Sequence, residues 1–271
     1  MTQPVERAGS GAGATTEAAP LGRVDPVRPG TATAVVRAPL GLATFTLVVG
    51  FFVLVATLVV LASLVLDVRR QQVFALDAWA TPFLHGLASP WLDVLMNRLT
   101  DVGSTLVIIP AFLVAAGALL WRRRFGAVLF LAIVSLGSMV LDGAMKVLLA
   151  RPRPVLDWAR PLPDYSFPSG HTMNATVFWV ALALIAWSIF GRRVGLASLA
   201  LAALIVFGVG TSRIYLGFHY LTDVVGGVLA GIAWLMVVGA ALQAGPAWRH
   251  WRSPASPTGD GPDAPRPEAS R

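Results

Sequence analysis

The sequence contains no cysteine and few charged residues. The absence of cysteine excludes disulfides, thiolate metal sites and a cysteine nucleophile. Charged residues occupy 13% of the 271 positions, whereas about 25% is usual for a soluble domain. The hydrophobic fraction is 56%, and the mean hydropathy is +0.70. This deficit of charge is too large to reflect a bigger soluble core, so the composition predicts a membrane protein.

The formal net charge of +7 comes mainly from arginines in the terminal regions and beside apolar runs. No continuous basic face with interleaved aromatic residues is visible, so nucleic acid is not a predicted partner. Contact with anionic lipid headgroups explains the surplus better. Abundant arginine, alanine, glycine and valine suggest a bacterial source.

Six apolar runs lie between two polar regions rich in small residues and proline. The outer regions, residues 1–38 and 245–271, lack hydrophobic periodicity and are predicted to be disordered tails. A bilayer core needs roughly 20 helical residues, and every run except the fifth reaches that length comfortably. We therefore predict an all-α bundle of six transmembrane helices over residues 39–244. The runs are approximately Gly41–Leu66, Ser104–Trp121, Gly126–Leu149, Thr172–Phe190, Gly195–Gly210 and Val224–Ala244.

The distribution of basic residues predicts the orientation of the bundle. Arg122–Arg124 and Arg192–Arg193 lie in short loops on the same side as both termini. By the positive-inside rule this side is cytoplasmic, so the loops at 67–103, 150–171 and 211–223 are predicted to be extracytoplasmic. The first of these loops mixes large apolar side chains with charges. Amphipathic helices at the lipid interface and a segment packed over the bundle mouth are equally good interpretations.

Ionisable residues gather at the predicted outer ends of runs three to six. Such residues cost roughly 2.5–3.5 kcal/mol each at the centre of a membrane helix, so they are rare and usually functional. Four helices therefore bring charge to one level of one face, which indicates a site. The members of the cluster are Asp142, Lys146, Arg151, Arg153, His171, Arg213, His219 and Asp223.

Part of this cluster has the composition of a phosphate pocket. Lys146 and Arg153 are seven residues apart, about two helical turns, with prolines then ending the helix, and Arg213 closes run five. Three cations suit the oxygens of one phosphate dianion. Ser169 is a candidate N-cap of run four, and Gly170 lets the backbone approach an anion closely.

The remaining members can move protons. His219 and Asp223 are four residues apart, so one helical turn places them on the same face. A carboxylate on Nδ1 would leave Nε2 of the imidazole free as a nucleophile. His171 comes from another helix and can protonate a leaving group.

Other polar residues have simpler interpretations. Asp142 lies four residues before Lys146 and is expected to form a helix salt bridge with it. Arg151 and Arg160 are interpreted as headgroup contacts, and His85 as an interfacial residue. Zinc ligation by two histidines and one aspartate is disfavoured, because three nearby cations would oppose a divalent ion.

The cluster contains three motifs that resemble those of the type 2 phosphatidic acid phosphatase superfamily. All specified positions occur in order and at the expected spacing. The resemblance covers residues 146–223 by motif and about 41–244 when the six-span frame is included. The first motif, K-x6-R-P, matches Lys146, Arg153 and Pro154; the second, P-S-G-H, matches Pro168, Ser169, Gly170 and His171; the third, S-R-x5-H-x3-D, matches Ser212, Arg213, His219 and Asp223.

The resemblance implies hydrolysis of a lipid phosphate or pyrophosphate, undecaprenyl-type or phosphatidate-like, without metal or cofactor. It implies that His219 attacks phosphorus, that Asp223 orients His219 and that His171 protonates the leaving group. The implied phosphate-binding residues are Lys146, Arg153, Ser169, Gly170 and Arg213. A lipid-linked phosphotransferase and a non-catalytic lipid-phosphate binder or transporter remain alternatives. No motif identifies the lipid or the oligomeric state.

Overall fold

The structure is a computed structural model that describes residues 40–70 and 75–244, with side chains over residues 48–70 and 75–242. The tails predicted at residues 1–38 and 245–271 lie outside the described residues. Eight α-helices form the described part, and those from α2 onward belong to one compact unit. The helices are α1 Leu40–Arg69, α2 Ala75–His85, α3 Pro90–Val102, α4 Thr105–Trp121, α5 Phe125–Leu149, α6 Gly170–Phe190, α7 Arg192–Tyr215 and α8 Leu221–Ala244.

Five of these helices are long and apolar enough to cross a membrane: α1, α5, α6, α7 and α8. Helices α3 and α4 meet at a bend of 49° and qualify together as a sixth span. The predicted six-span helical membrane fold is therefore confirmed. The short fifth run is part of a full-length helix, because α7 extends from Arg192 through Arg213 to Tyr215.

Helix α6 is the central element of the bundle, because it packs against α4, α5, α7 and α8. Apolar side chains of α5 and α8 interlock with those of α6. Close van der Waals packing of this kind holds helices together in a membrane. Buried contributors include Leu131 and Val134 of α5, Val177, Phe178 and Ala181 of α6, and Leu235 and Val238 of α8.

Glycines allow α6, α7 and α8 to approach closely. A Cβ added at Gly227 of α8 would lie 2.7 Å from the Ser169 carbonyl oxygen, and one at Gly231 would lie 3.0 Å from Thr176 Cβ. A Cβ at Gly210 of α7 would lie 2.7 Å from a methyl group of Val224. These glycines therefore serve close helix packing. This packing holds the first turns of α6 and α8 against each other.

The first outer loop forms the two helices α2 and α3. Helix α2 packs against α7 and α8, and α3 packs against α7 and α4. The inner face of α2 buries Asp77, Ala80 and Thr81, whereas Trp79 and Phe83 are exposed on its outer side. Packing over the bundle mouth is thus confirmed, and the same helix keeps an apolar outer face suited to the lipid interface.

Candidate active site

The predicted cluster comes together at one end of the bundle, where α5 and α7 end and α6 and α8 begin. The Ser169 N–H donates to the Asp223 carbonyl oxygen at 3.0 Å, which ties the starts of α6 and α8. The Phe218 and His219 N–H groups both donate to the Arg213 carbonyl oxygen. Backbone hydrogen bonds therefore fix the segment that carries His219 to the end of α7.

His219 is fully buried, and its two ring nitrogens face opposite charges. Nδ1 lies 3.5 Å from Asp223 Oδ2, which also accepts the Tyr220 N–H at 2.9 Å. Nε2 lies 3.1 Å from Arg153 Nη1. Because a guanidinium can only donate, Nε2 is the acceptor and the ring proton belongs on Nδ1, toward Asp223. This tautomer leaves the Nε2 lone pair directed at the cationic side of the site.

The pKa of His219 is lowered to about 4, principally because burial disfavours the charged ring. Asp223 opposes this shift, and the positive charges of Arg213 and Arg153 reinforce it. The imidazole is therefore neutral at neutral pH, the form in which Nε2 has a free lone pair.

The outer side of the site contains Lys146, Arg153 and Asp164. Arg153 Nη2 donates to both Asp164 carboxylate oxygens, at 2.7 and 2.8 Å, and Lys146 Nζ lies 3.3 Å from Asp164 Oδ2. A third Arg153 bond, from Nη1, reaches the Phe218 carbonyl oxygen at 2.6 Å. Two cations predicted to bind phosphate thus share one carboxylate.

The chain reaches this arrangement because α5 ends before Arg153. The helix stops at Leu149, and Ala150 adopts a left-handed conformation with φ 47°. The prolines at 152 and 154 then keep the chain out of the helical region. Lys146 and Arg153 consequently meet across Asp164 rather than along one helix face.

Asp164 is half-exposed yet strongly held by its partners. Partial burial alone would raise its pKa, but the hydrogen bonds and charges of Arg153 and Lys146 outweigh this and lower the pKa to about 2. Asp164 is therefore an anion across the whole physiological range. No sequence motif indicated it, since it lies in a loop without periodicity.

Arg213 is buried, at 5% exposure. Its Nη1 donates to Thr100 Oγ1 at 2.9 Å, and its guanidinium lies over the Phe218 ring. Its Nε is buried and has no hydrogen-bond partner among the residues with described side chains. A buried donor in this condition is costly unless a bound group supplies an acceptor.

Three further predicted residues lie at the start of α6. Ser169 occupies the N-cap position but makes no capping hydrogen bond, because its hydroxyl pairs with Thr172 Oγ1 at 2.9 Å. His171 follows in the first turn, half-buried and within electrostatic range of His219 and Arg213. Gly170 faces Asp142, whose Oδ2 would lie 2.5 Å from an added Cβ.

Asp142 also forms the predicted salt bridge with Lys146, at 3.4 Å. The absence of a side chain at Gly170 therefore makes room for the carboxylate that holds Lys146. Gly170 is therefore needed for the Asp142–Lys146 contact, a more specific role than allowing the backbone to approach an anion.

Asp77, like Asp164, was not predicted as a residue of the site, and Arg151 was placed in the predicted cluster with a different role. The interpretation of Arg151 as a headgroup contact is wrong, because its guanidinium turns inward and pairs with both Asp223 and Asp77. Besides its membership of the cluster, the sequence set Arg151 apart only by a second Arg-Pro pair, Arg151-Pro152, directly before Arg153-Pro154. His85, expected at the interface, stacks on the Trp158 ring at 4.2 Å. Among the described residues, no group of three or more His, Asp or Glu side chains is arranged to hold a metal ion.

Fold and site together define a polytopic membrane protein with a buried histidine–carboxylate pair surrounded by cations. The PAP2 superfamily pattern matches residues 125–244. Phosphatidylglycerophosphatase B of Bacillus subtilis (strain 168) is 32% identical over 158 residues, which cover 56% of this chain and 76% of the relative. A protein of Escherichia coli (strain K12) named as an undecaprenyl-diphosphatase, YbjG, is 29% identical over 150 residues, covering 54% and 71%.

Solved structures agree with these relatives. The crystal structure of a transmembrane PAP2-type phosphatidylglycerolphosphate phosphatase from Bacillus subtilis superposes with a TM-score of 0.64 at 25% identity, covering 71% of this chain and 98% of that one. Aquifex aeolicus LpxE superposes with a TM-score of 0.52 at 28% identity, covering 62% and 96%. The chain belongs to the PAP2 superfamily and is a membrane lipid phosphatase of that family.

Proposed function

We propose that this protein hydrolyses a lipid phosphate or pyrophosphate at the extracytoplasmic membrane face, through a phosphohistidine at His219. The observation that carries the proposal is the placement of the His219 ring. Nε2 faces Arg153 at 3.1 Å, while Nδ1 faces Asp223. A nucleophile beside a phosphate-binding cation, oriented by a carboxylate on its other nitrogen, suits phosphoryl transfer to histidine.

The reaction proceeds in two balanced steps. The Nε2 lone pair of His219 forms a bond to phosphorus, the bond from phosphorus to the lipid oxygen breaks, and His171 protonates that oxygen. Water then attacks the phosphohistidine while His171 takes its proton, and the nitrogen–phosphorus bond breaks. A lipid monophosphate and water thus become lipid alcohol and inorganic phosphate. From a lipid pyrophosphate, the same steps at the terminal phosphorus release lipid monophosphate and inorganic phosphate. Asp223 stabilises the positive ring in both steps.

Charge on the phosphoryl oxygens is stabilised by the surrounding donors. Arg153 lies beside Nε2, Lys146 contacts the same Asp164 carboxylate as Arg153, and Arg213 contributes a buried Nε without a partner in the described part of the chain. The start of α6 at Ser169 and Gly170 adds the positive end of a helix dipole. Preorganised donors of this kind account for most of the rate enhancement in enzymatic phosphoryl transfer.

The position of the site supports a lipid substrate. It lies at the ends of membrane-spanning helices, so a phosphate headgroup can enter while its tail stays in the bilayer. The names of the two relatives support a phosphorylated glycerolipid and a polyprenyl diphosphate as the classes to test first.

Basic residues at the opposite end support the extracytoplasmic assignment. The turns joining α4 to α5 and α6 to α7 carry Arg122–Arg124 and Arg192–Arg193. These turns lie at the ends of α5, α6 and α7 away from the site. By the positive-inside rule that end is cytoplasmic.

Phosphate release by detergent-purified full-length protein in EDTA tests the chemistry. The substrates are phosphatidylglycerophosphate, phosphatidate and undecaprenyl diphosphate, and the variants are His219→Ala and, as control, Arg160→Gln in an exposed loop position. We expect wild-type and control activity in EDTA, loss of activity in His219→Ala, and an acid-labile, alkali-stable phosphoryl label on the wild type. Loss of activity in EDTA that divalent metal restores, or turnover by His219→Ala, would refute the mechanism.

Cysteine labelling tests the membrane side, because the chain has no native cysteine. Asp157→Cys lies in the loop beside the site, and Arg193→Cys lies at the other end of the bundle; both positions are exposed. A membrane-impermeant maleimide should label Asp157→Cys in intact cells and Arg193→Cys only after lysis. The reverse pattern would place the site on the cytoplasmic face.

A further inference from the structure

Arg151 lies outside the three sequence motifs yet is bonded to the carboxylate that orients His219. Its side chain is 10% exposed. Nη1 donates to Asp223 Oδ1 and, at 2.8 Å, to Thr222 Oγ1. Nη2 donates to Asp77 Oδ2 at 2.8 Å. The guanidinium also lies over the Tyr220 ring, 4.3 Å from its centroid. Arg151 is thus held by a carboxylate on either side.

Asp77 connects α2 to the first turn of α8. Its carboxylate is buried, at 3% exposure. Oδ1 accepts the Thr222 N–H at 2.9 Å, and Oδ2 accepts the Thr222 hydroxyl at 2.6 Å. Asp77 therefore supplies the acceptor that a free helix N-terminus needs, one residue before Asp223.

The two oxygens of Asp223 have different partners. Oδ1 is bound by Arg151, whereas Oδ2 faces the Tyr220 N–H and His219 Nδ1. Without Arg151, one oxygen of a buried carboxylate would lose its donor, and the group could rotate away from His219. Asp77 in turn balances the charge of Arg151, so this side of His219 keeps a net negative charge.

We propose that Asp77 and Arg151 form a positioning pair that orients Asp223 and sets the charge behind His219 in the proposed hydrolysis. The inference rests on the proposed role of His219 and extends it to two residues of α2 and the loop after α5. Neither residue contacts the reacting phosphorus; both act through Asp223.

The titratable and charged groups around His219 come from five elements. Arg153 of the loop after α5 lies at Nε2, Asp223 of α8 lies at Nδ1, and Arg213 of α7 lies nearby. His171 of α6 adds a second imidazole within electrostatic range of His219, and Lys146 of α5 is a further cation near His171. The positioning pair adds one positive and one negative charge behind Asp223.

This arrangement predicts opposite pH effects for the two members of the pair. Removing the Arg151 charge leaves a more negative environment, which favours protonated His219 and raises its pKa from about 4. Removing the Asp77 charge leaves Arg151 uncompensated and lowers that pKa further. Since His219 must be neutral to attack, the acidic limb of kcat/KM moves to higher pH in Arg151→Gln and to lower pH in Asp77→Asn.

The experiment compares Arg151→Gln, Arg151→Lys and Asp77→Asn with the matched controls Arg160→Gln and Asp157→Asn, which change the same charges at exposed positions of the neighbouring loop. We expect kcat to fall about 10- to 100-fold in Arg151→Gln and Asp77→Asn, the usual scale for residues behind a reacting group. KM should change less than about threefold, since the substrate contacts remain. Arg151→Lys should recover part of the loss.

Opposite displacement of the two acidic limbs, with controls unchanged, would support the pair. Rates equal to those of the controls, or equal losses in both variants without opposite pH displacement, would overturn it. A wild type that releases no phosphate would instead refute the proposed function. The pair would then be judged by NMR titration of His219 in the same variants, where the absence of opposite shifts would overturn it.

Discussion

Two acid–cation networks flank His219, and they differ in burial. The inner network, on the Nδ1 side, consists of Asp223, Arg151 and Asp77, whose side chains are 0%, 10% and 2% exposed. The outer network, on the Nε2 side, consists of Arg153, Asp164 and Lys146, and its carboxylate is 48% exposed. Removing one partner of a buried ion pair is strongly destabilising, whereas exposed pairs contribute little and exchange readily.

The difference indicates a division of roles around one ring. The inner network joins α2, the loop after α5 and α8, so it holds Asp223 and, through it, His219 in place. The outer network is closed by one loop carboxylate, Asp164, which occupies the two cations that we propose bind phosphate. We expect the substrate phosphate to replace Asp164 on these cations, while the inner network stays unchanged.

The largest expected effect comes from breaking the inner network at Asp223. Asp223→Asn removes the charge that stabilises the positive ring, and the amide can present its N–H to Nδ1 and favour the wrong tautomer. We expect kcat to fall about 10³- to 10⁴-fold, as for the aspartate of other histidine-based sites. Stopped-assay phosphate release measures the loss, with Asp157→Asn as control. A loss below about tenfold would mean that Asp223 does not orient His219.

The next effect comes from altering the cation shared by the outer network and Nε2. Arg153→Lys keeps one charge but loses the forked donors that contact Asp164, Phe218 and His219. We expect kcat/KM to fall about 10²- to 10³-fold, the scale of losing one preorganised donor to a developing charge. Arg160→Lys is the matched control. Retention of wild-type kcat/KM would show that Arg153 contributes only a diffuse charge.

A third change tests how Lys146 is held. Gly170→Ala places a methyl group against the Asp142 carboxylate, 2.5 Å from Oδ2, and should displace the carboxylate from Lys146. We expect kcat/KM to fall about 10- to 100-fold, a scale typical of support residues. Gly143→Ala is the matched control, because a Cβ there meets no atom within 4 Å. Equal activity of the two variants would show that Asp142 does not position Lys146.

The sequence predicted the membrane spans and those contacts of the site that join residues close together in the chain. The spans follow from run length, and the spacing of four residues between His219 and Asp223, or Asp142 and Lys146, brings each pair together on or beside a helix. The contact of Asp77 with Arg151 joins residues 74 positions apart. It depends on how α2 folds back over α7 and α8, for which no periodic signal exists. Asp164 lies in an irregular loop, where spacing carries no information on contacts.

The smallest expected effect concerns Asp164, the carboxylate of the outer network. Because the pKa of Asp164 is lowered to about 2, it stays ionised throughout the neutral range, and we expect it to compete with the substrate phosphate. Asp164→Asn removes the competing charge while keeping the size of the side chain. We expect KM and the inhibition constant of inorganic phosphate each to fall about three- to tenfold, with kcat changed less than about threefold, as for a change in ground-state binding. Initial-rate kinetics with added phosphate measure both constants.

Asp157→Asn provides the control for Asp164→Asn, because it removes the same charge from an exposed position of the same loop. If both variants lower KM equally, the effect is one of general loop charge, and Asp164 does not occupy the phosphate position. If Asp164→Asn instead raises KM, the carboxylate serves to hold Arg153 and Lys146 in place for the substrate. The outer network would then be a fixed support like the inner one. That result would contradict the assignment of positioning to the inner network and of phosphate exchange to the outer one.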